Sequence, residues 1–128
     1  MSTTSLASKC IPCMGNISLL TEAEIPGLLT QIDGWVVEEG NCLVKTFKFR
    51  NYKTTIAFVN RVAAIAEAEG HHPVLYVSWG EVEVYLFTKV FSGLTEWDFI
   101  LAAKIDQGEL EQQGGDPSLA LPLAGEGN

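Results

Sequence analysis

Apolar residues recur along this chain with two alternating periods, and the switches between them divide it into five segments. Ile25, Leu28, Leu29 and Ile32 share one helical stripe, preceded by Thr21-Glu22-Ala23-Glu24, which has the form of a capping box. Pro26 would cost a hydrogen bond inside such a helix, so the first turn is expected as late as Ile25, with the proline at its first position and Gly34 after its end. Residues 35–39 and 42–49 are β-rich runs joined at Gly40-Asn41, a two-residue hairpin signal. In the second run Leu43, Lys45, Phe47 and Phe49 point one way and Cys42, Val44, Thr46 and Lys48 the other. The Leu43, Phe47 and Phe49 face is the expected core side, with Lys45 near an edge.

Asn51 is placed to cap a long helix running to Glu69, with Phe58, Val62, Ile65 and Ala66 on its stripe and Gly70 in the left-handed position that ends it. Residues 74–79 and 82–88 predict a second hairpin turning at Gly80-Glu81, with Val82, Val84 and Leu86 on one face and Glu83, Tyr85 and Phe87 on the other. Thr95 caps a last helix carrying Phe99, Ala102, Ala103 and Ile105, expected to end between Gln107 and Gln113. The order helix, hairpin, helix, hairpin, helix lacks strand-helix-strand alternation. It predicts an α+β domain: a four-stranded antiparallel sheet of two hairpins, covered on one face by three helices. Residues 1–18 read as an N-terminal arm, 19–113 as the domain, and 114–128, rich in Gly, Pro and Ala, as a flexible tail.

At 128 residues, 47% of them hydrophobic, the chain suits one domain with a usable core. No apolar run approaches the roughly 18 residues of a membrane helix, and the Ser/Thr-rich start has no apolar stretch of a secretory signal, so a soluble cytoplasmic protein is expected. Eight basic against sixteen acidic residues give a net charge of −8, which repels phosphate backbones and anionic membranes and argues against direct nucleic-acid binding. Three cysteines give no closed pairing. Cys10-Ile11-Pro12-Cys13 lacks the further ligands of a zinc site, so it reads as a reduced arm packed on the domain.

The two histidines, His71 and His72, stand side by side between the long helix and the third strand, followed by Pro73. Imidazole serves as acid or base near neutral pH, and the C-terminal dipole of the preceding helix favours a protonated His71. Pro73 biases His72 toward an extended conformation. Glu67, four residues before His71, could orient an imidazole or be an ordinary solvated carboxylate. Trp79 could wall a flat ring by stacking or belong to the core. Asp98, three residues after Thr95, completes a capping arrangement at the last helix. Lys89 offers an ammonium that can hold a hydroxyl but is a poor general base at neutral pH.

The order and spacing of Glu67, His71-His72-Pro73, Trp79, Lys89, Gly93-Leu94-Thr95 and Asp98 resemble the signature of the pterin-4a-carbinolamine dehydratases, and the likeness covers residues 19–105. One position departs from it: Lys89 stands where catalytic members carry a third histidine. The resemblance implies dehydration of 4a-hydroxytetrahydrobiopterin to the quinonoid dihydropterin and water, without metal or organic cofactor. His71, His72 and Lys89 would then be the catalytic candidates, with Glu67, Pro73, Trp79 and Asp98 binding substrate. It also implies a homodimer or homotetramer. Because relatives include RuBisCO assembly factors and a transcription-factor dimerisation cofactor, a non-catalytic protein with such a partner is the alternative reading.

Overall fold

The computed structural model describes residues 6–114, with side chains to residue 108; the expected tail, beyond residue 114, lies outside the described residues. A 3-10 turn, Leu6–Ser8, precedes α1 (Ile25–Leu29), β1 (Val36–Glu38), β2 (Cys42–Lys48), α2 (Tyr52–Glu69), β3 (Val74–Ser78) and β4 (Glu81–Leu86). A second 3-10 turn, Lys89–Phe91, leads to α3 (Glu96–Gly114), which runs just past the expected end. The strands form one sheet in the order β1-β2-β4-β3, every pair antiparallel. The fold is the α+β architecture that the periodicity predicts. Among the described residues no helix is long and apolar enough to cross a membrane.

The core lies between one face of the sheet and the helices. Central strands β2 and β4 bring Leu43 opposite Leu86 and Phe47 opposite Val82, and these four residues are buried. α2 covers them with Phe58, Val62 and Ala66, and α3 with Phe99, Ile100, Leu101, Ala102 and Ile105. The Phe58 ring lies 4.6 Å from Phe47 and 5.0 Å from Phe49. On the other face Val36 and Tyr76 remain exposed, and Tyr76 meets Tyr85 edge-on at 5.5 Å.

The bounds of α2 follow its capping chemistry. Asn51, with extended backbone, accepts the Thr54 N–H at 2.8 Å, and Gly70 ends the helix at φ 70°. At α1 the reciprocal Thr21 and Glu24 bonds form at 2.8 and 3.2 Å, but they close the turn before the helix, which begins at Ile25 with Pro26 in its first turn.

Both hairpin turns sit one residue earlier than expected. In the first, Glu39 and Gly40 take positive φ and Asn41 N–H donates to the Glu38 carbonyl, because pairing continues only to Glu38 and Cys42. In the second, Ser78 pairs with Glu81 and leaves Trp79-Gly80 as the loop. Gly80 is fixed there. Its N–H donates to Thr55 Oγ1 at 3.1 Å, its carbonyl accepts from Phe49 at 2.8 Å, and a Cβ would stand 3.0 Å from the Phe49 carbonyl.

Lys45 is not near an edge. It lies on the core face of central strand β2, opposite Val84. Its stem passes the Phe47 ring, with Nζ 4.7 Å from the centroid, and the ammonium reaches the Asp33 carbonyl at 2.6 Å and Asp106 at 2.8 Å. Trp35 donates its indole N–H to the same carboxylate, so the charge leaves the core along a chain of partners. The arm differs too: Cys10 and Cys13 form a disulfide rather than two thiols, while Leu6 and Ile11 pack into the core. The backbone turn that buries Ile11 brings the two Cα atoms to 5.3 Å, within bridging range.

Replacing Asn51 with alanine removes the side-chain acceptor at the start of α2. Chemical denaturation should then show a loss of about 1 kcal/mol with an unchanged m-value.

Candidate active site

Gly70 decides where the two histidines go. Its left-handed backbone closes α2, with the Gly70 and His71 N–H groups both donating to the Ala66 carbonyl at 2.8 and 3.2 Å. Beyond it Pro73 leads the chain into β3 and biases His72 toward an extended backbone, on which adjacent side chains take opposite sides. His71 turns inward and is only 9% exposed, whereas His72 faces solvent.

Asp98 meets His71 from the first turn of α3. Its carboxylate is fully buried, and Oδ1 lies 2.6 Å from His71 Nε2. The second oxygen, Oδ2, accepts the Thr88 hydroxyl and the Thr95 backbone N–H, both at 2.9 Å. Thr88 uses its single proton on Asp98, so the Thr95 hydroxyl donates to Thr88 across 2.9 Å and itself accepts the Trp97 N–H. With Oδ2 occupied by donors, Oδ1 accepts from His71 Nε2–H. In the neutral ring that bond fixes the tautomer, with the lone pair on Nδ1. The Trp97 ring packs edge-on against the imidazole, 5.6 Å between centroids.

One carboxylate therefore caps a helix and orients a histidine at once. Asp98 occupies the third position of α3's first turn and returns a bond to the Thr95 N–H, as a capping box requires, while its other oxygen serves the imidazole.

The remaining candidates are placed differently. Glu67 orients His72 rather than His71: its Oε2 lies 2.7 Å from His72 Nε2, with both side chains mostly exposed, so this pair adds little to stability. Pro73 leads directly into β3. Lys89 is exposed at the start of the 3-10 turn, next in sequence to the buried Thr88. Trp79 stands apart, 66% exposed at the β3–β4 turn. The five residues of β3 separate it from the histidines by about 16 Å.

Reading the sequence for titratable groups missed Thr88 and Trp97 and gave Thr95 only a capping role. The signal available was the pair of threonines bracketing Gly93 just before an acidic first helical turn. An antiparallel bridge between Thr88 and Gly93 folds that segment back and brings the hydroxyls together. Cys42, at the same end of the sheet, has its thiol pushed up by burial first, with the Glu38 and Asp98 charges adding to it. Among the described residues no group of three or more His, Cys, Asp or Glu side chains is arranged to hold a metal ion.

Comparison with known proteins places this geometry. The family model for pterin 4 alpha carbinolamine dehydratase matches residues 18–108. A relative from Rubrobacter xylanophilus carrying the name pterin-4-alpha-carbinolamine dehydratase is 43% identical over 103 residues, 80% of this chain and 96% of its own. Another of that name from Rickettsia bellii is 48% identical over 99 residues, 77% of this chain and 88% of its own. Among solved structures, a transcriptional coactivator/pterin dehydratase from Brucella melitensis superimposes with a TM-score of 0.68 at 33% identity, covering 71% of this chain and 98% of that one. A pterin dehydratase-like RuBisCO assembly factor of the alpha-carboxysome gives 0.52 at 28% identity, covering 59% and 88%. Since the family's match takes in every element from α1 to the buried part of α3, including the His71–Asp98 pair, this chain belongs to the pterin-4a-carbinolamine dehydratase family.

Proposed function

We propose that this protein dehydrates a 4a-hydroxytetrahydropterin, such as 4a-hydroxytetrahydrobiopterin, to the quinonoid dihydropterin and water. The observation that carries the reading is the buried imidazole of His71, held in one tautomer by a fully buried carboxylate. The reaction breaks the C4a–O bond and removes the proton from the ring nitrogen beside it, so hydroxide and a proton leave as water. It needs an acid at the oxygen and a base at the nitrogen, and it transfers no electrons to a cofactor.

His71, with Nδ1 as the basic atom, and His72, tied to Glu67 at the solvent side, divide these two roles. Lys89 at the exposed turn positions the substrate, in place of the family's third histidine. Pro73 fixes the backbone beside the pair. Trp79 is assigned to pterin stacking only if assembly brings the β3–β4 turn of another copy to the histidines. Strands β1 and β3 are the edges of the sheet, which supports a homodimer or homotetramer that covers them.

A second reading has its own support. Lys89 is a weaker proton-transfer group than the histidine expected there, and likeness to the RuBisCO assembly factor suits a chain that has given up catalysis for a protein partner.

A dehydratase assay on freshly generated 4a-hydroxytetrahydropterin separates them. The native chain should exceed the spontaneous rate, His71→Ala and His72→Ala should each lower turnover by about 10²–10⁴, and Lys89→His should raise it. An inert native chain revived by Lys89→His would instead mark a relic pocket. Asp98→Asn tests the orienting role separately. Its amide oxygen keeps the Thr88 and Thr95 donors, so its NH₂ faces His71 and forces the proton to Nδ1. Nitrogen-15 NMR should report the changed tautomer, with turnover reduced about a hundredfold or more.

A further inference from the structure

The N-terminal arm touches both elements that carry the His71–Asp98 pair. Ile11 N–H donates to Glu69 at 2.9 Å, and Glu69 is the last residue of α2, two before His71. Lys9 Nζ meets Glu96 at 2.6 Å, and Glu96 is the first residue of α3, two before Asp98. Lys104 completes the clamp, donating to the Ala7 carbonyl at 2.8 Å and standing 3.5 Å from Glu69. These polar contacts surround an apolar anchor, Ile11, which is 3% exposed and packed in the core.

The anchor sits inside a disulfide ring. Cys10 and Cys13 flank it and are bonded to each other, and both are exposed although Ile11 between them is buried. Apart from the disulfide, the ring is held by a Cys13 N–H bond to the Cys10 carbonyl at 3.2 Å, with Met14 N–H reaching the Ile11 carbonyl at 3.1 Å. The inter-sulfur bond thus lies on the solvent side of a turn whose other side plugs the core. A thiolate arriving from solution can attack it without unfolding the domain.

We propose that Cys10–Cys13 is a thiol–disulfide exchange site through which a dithiol reductant loosens the arm and, with it, the alignment of His71 against Asp98. One thiolate of the reductant attacks a sulfur, the Cys10–Cys13 bond breaks and a mixed disulfide forms. The reductant's second thiolate then closes its own disulfide and releases the enzyme cysteine. Two electrons pass to the protein, two protons complete the Cys10 and Cys13 thiols, and the reductant leaves oxidised. Freed of the ring, residues 10–13 regain chain entropy, and Ile11 opens more often. When it does, Glu69 loses the Ile11 N–H while keeping Lys104 beside it, and Glu96 loses Lys9. The consequence for turnover rests on the dehydratase reading above; the consequence for the arm and for His71 does not.

The test uses the full chain without reductant, the same protein in dithiothreitol, and the Cys10→Ser/Cys13→Ser variant. Alkylation after denaturation should count one thiol per chain before reduction and three after, since the sequence holds three cysteines. On reduction the Ile11 amide should exchange with solvent about tenfold faster or more, the His71 ring resonances should shift, and dehydration should slow several-fold. The serine variant should behave as the reduced protein whether or not dithiothreitol is present. Three thiols in the unreduced protein would sink the proposal. So would unchanged Ile11 exchange and His71 resonances, or turnover that ignores a loosened arm in an active enzyme. If the arm and His71 respond while no form dehydrates the pterin, the exchange site stands and the dehydratase reading falls.

Discussion

A carboxylate with no exposure to water is costly unless each oxygen has partners, and the partners of Asp98 tie together most of what surrounds the candidate site. Oδ2 draws in the Thr95 amide at the head of α3 and the Thr88 hydroxyl beyond β4, while Oδ1 draws in His71 beyond α2. Three elements distant in sequence thus converge on one ion. The Thr95–Thr88 bond extends the network, so a change at any member leaves a buried donor or acceptor unpaired.

The rest of the domain holds those three elements in register. Leu86 at the end of β4 pairs with Leu43 of β2 and places Thr88 two residues on, on the core side. At the opposite end of the sheet, Gly80 bonds to Thr55 of α2 and to Phe49, which locks the second hairpin to the helix that ends in Gly70 and His71. Between these ends lies the Phe47, Phe49 and Phe58 stack. The site's precision therefore comes from packed strands and helices rather than from a loop.

Much of this was legible in the sequence where a local rule acts alone. Asn51 and Gly70 mark the long helix because capping depends on the residue itself, and Val82, Val84 and Leu86 show their face by alternation. The His-His-Pro run stood out because the chain holds only two histidines, and Asp98 because it stands three residues after Thr95 and matches the family signature. Other features depend on a partner far along the chain. Both turns shifted by one residue because strand pairing, which sets where a turn must close, overrode the pull of the Gly-Asn and Gly-Glu dipeptides. Lys45 sits within the core face because Asp106, 61 residues away, receives its charge. Thr88 carries no signature of its own, since a threonine is a strand residue until Asp98 stands beside it. The Cys10–Cys13 disulfide follows from the burial of Ile11, which spacing alone does not reveal.

The left-handed turn at Gly70 has a consequence for the handedness of the histidine pair. Any L-residue with a side chain disfavours that backbone, although nothing within 4 Å beyond its chain neighbours would obstruct its Cβ; the restriction lies in the residue's own backbone rather than in the packing around it. If the helix ran on through this position, successive side chains would be turned by about 100° instead of falling on opposite sides, and both imidazoles would crowd one flank of the same cylinder. A single glycine thereby sorts two identical side chains into unlike surroundings, one buried against Asp98, the other at the solvent side against Glu67. Two copies of one residue type acquire different chemistry from one backbone torsion.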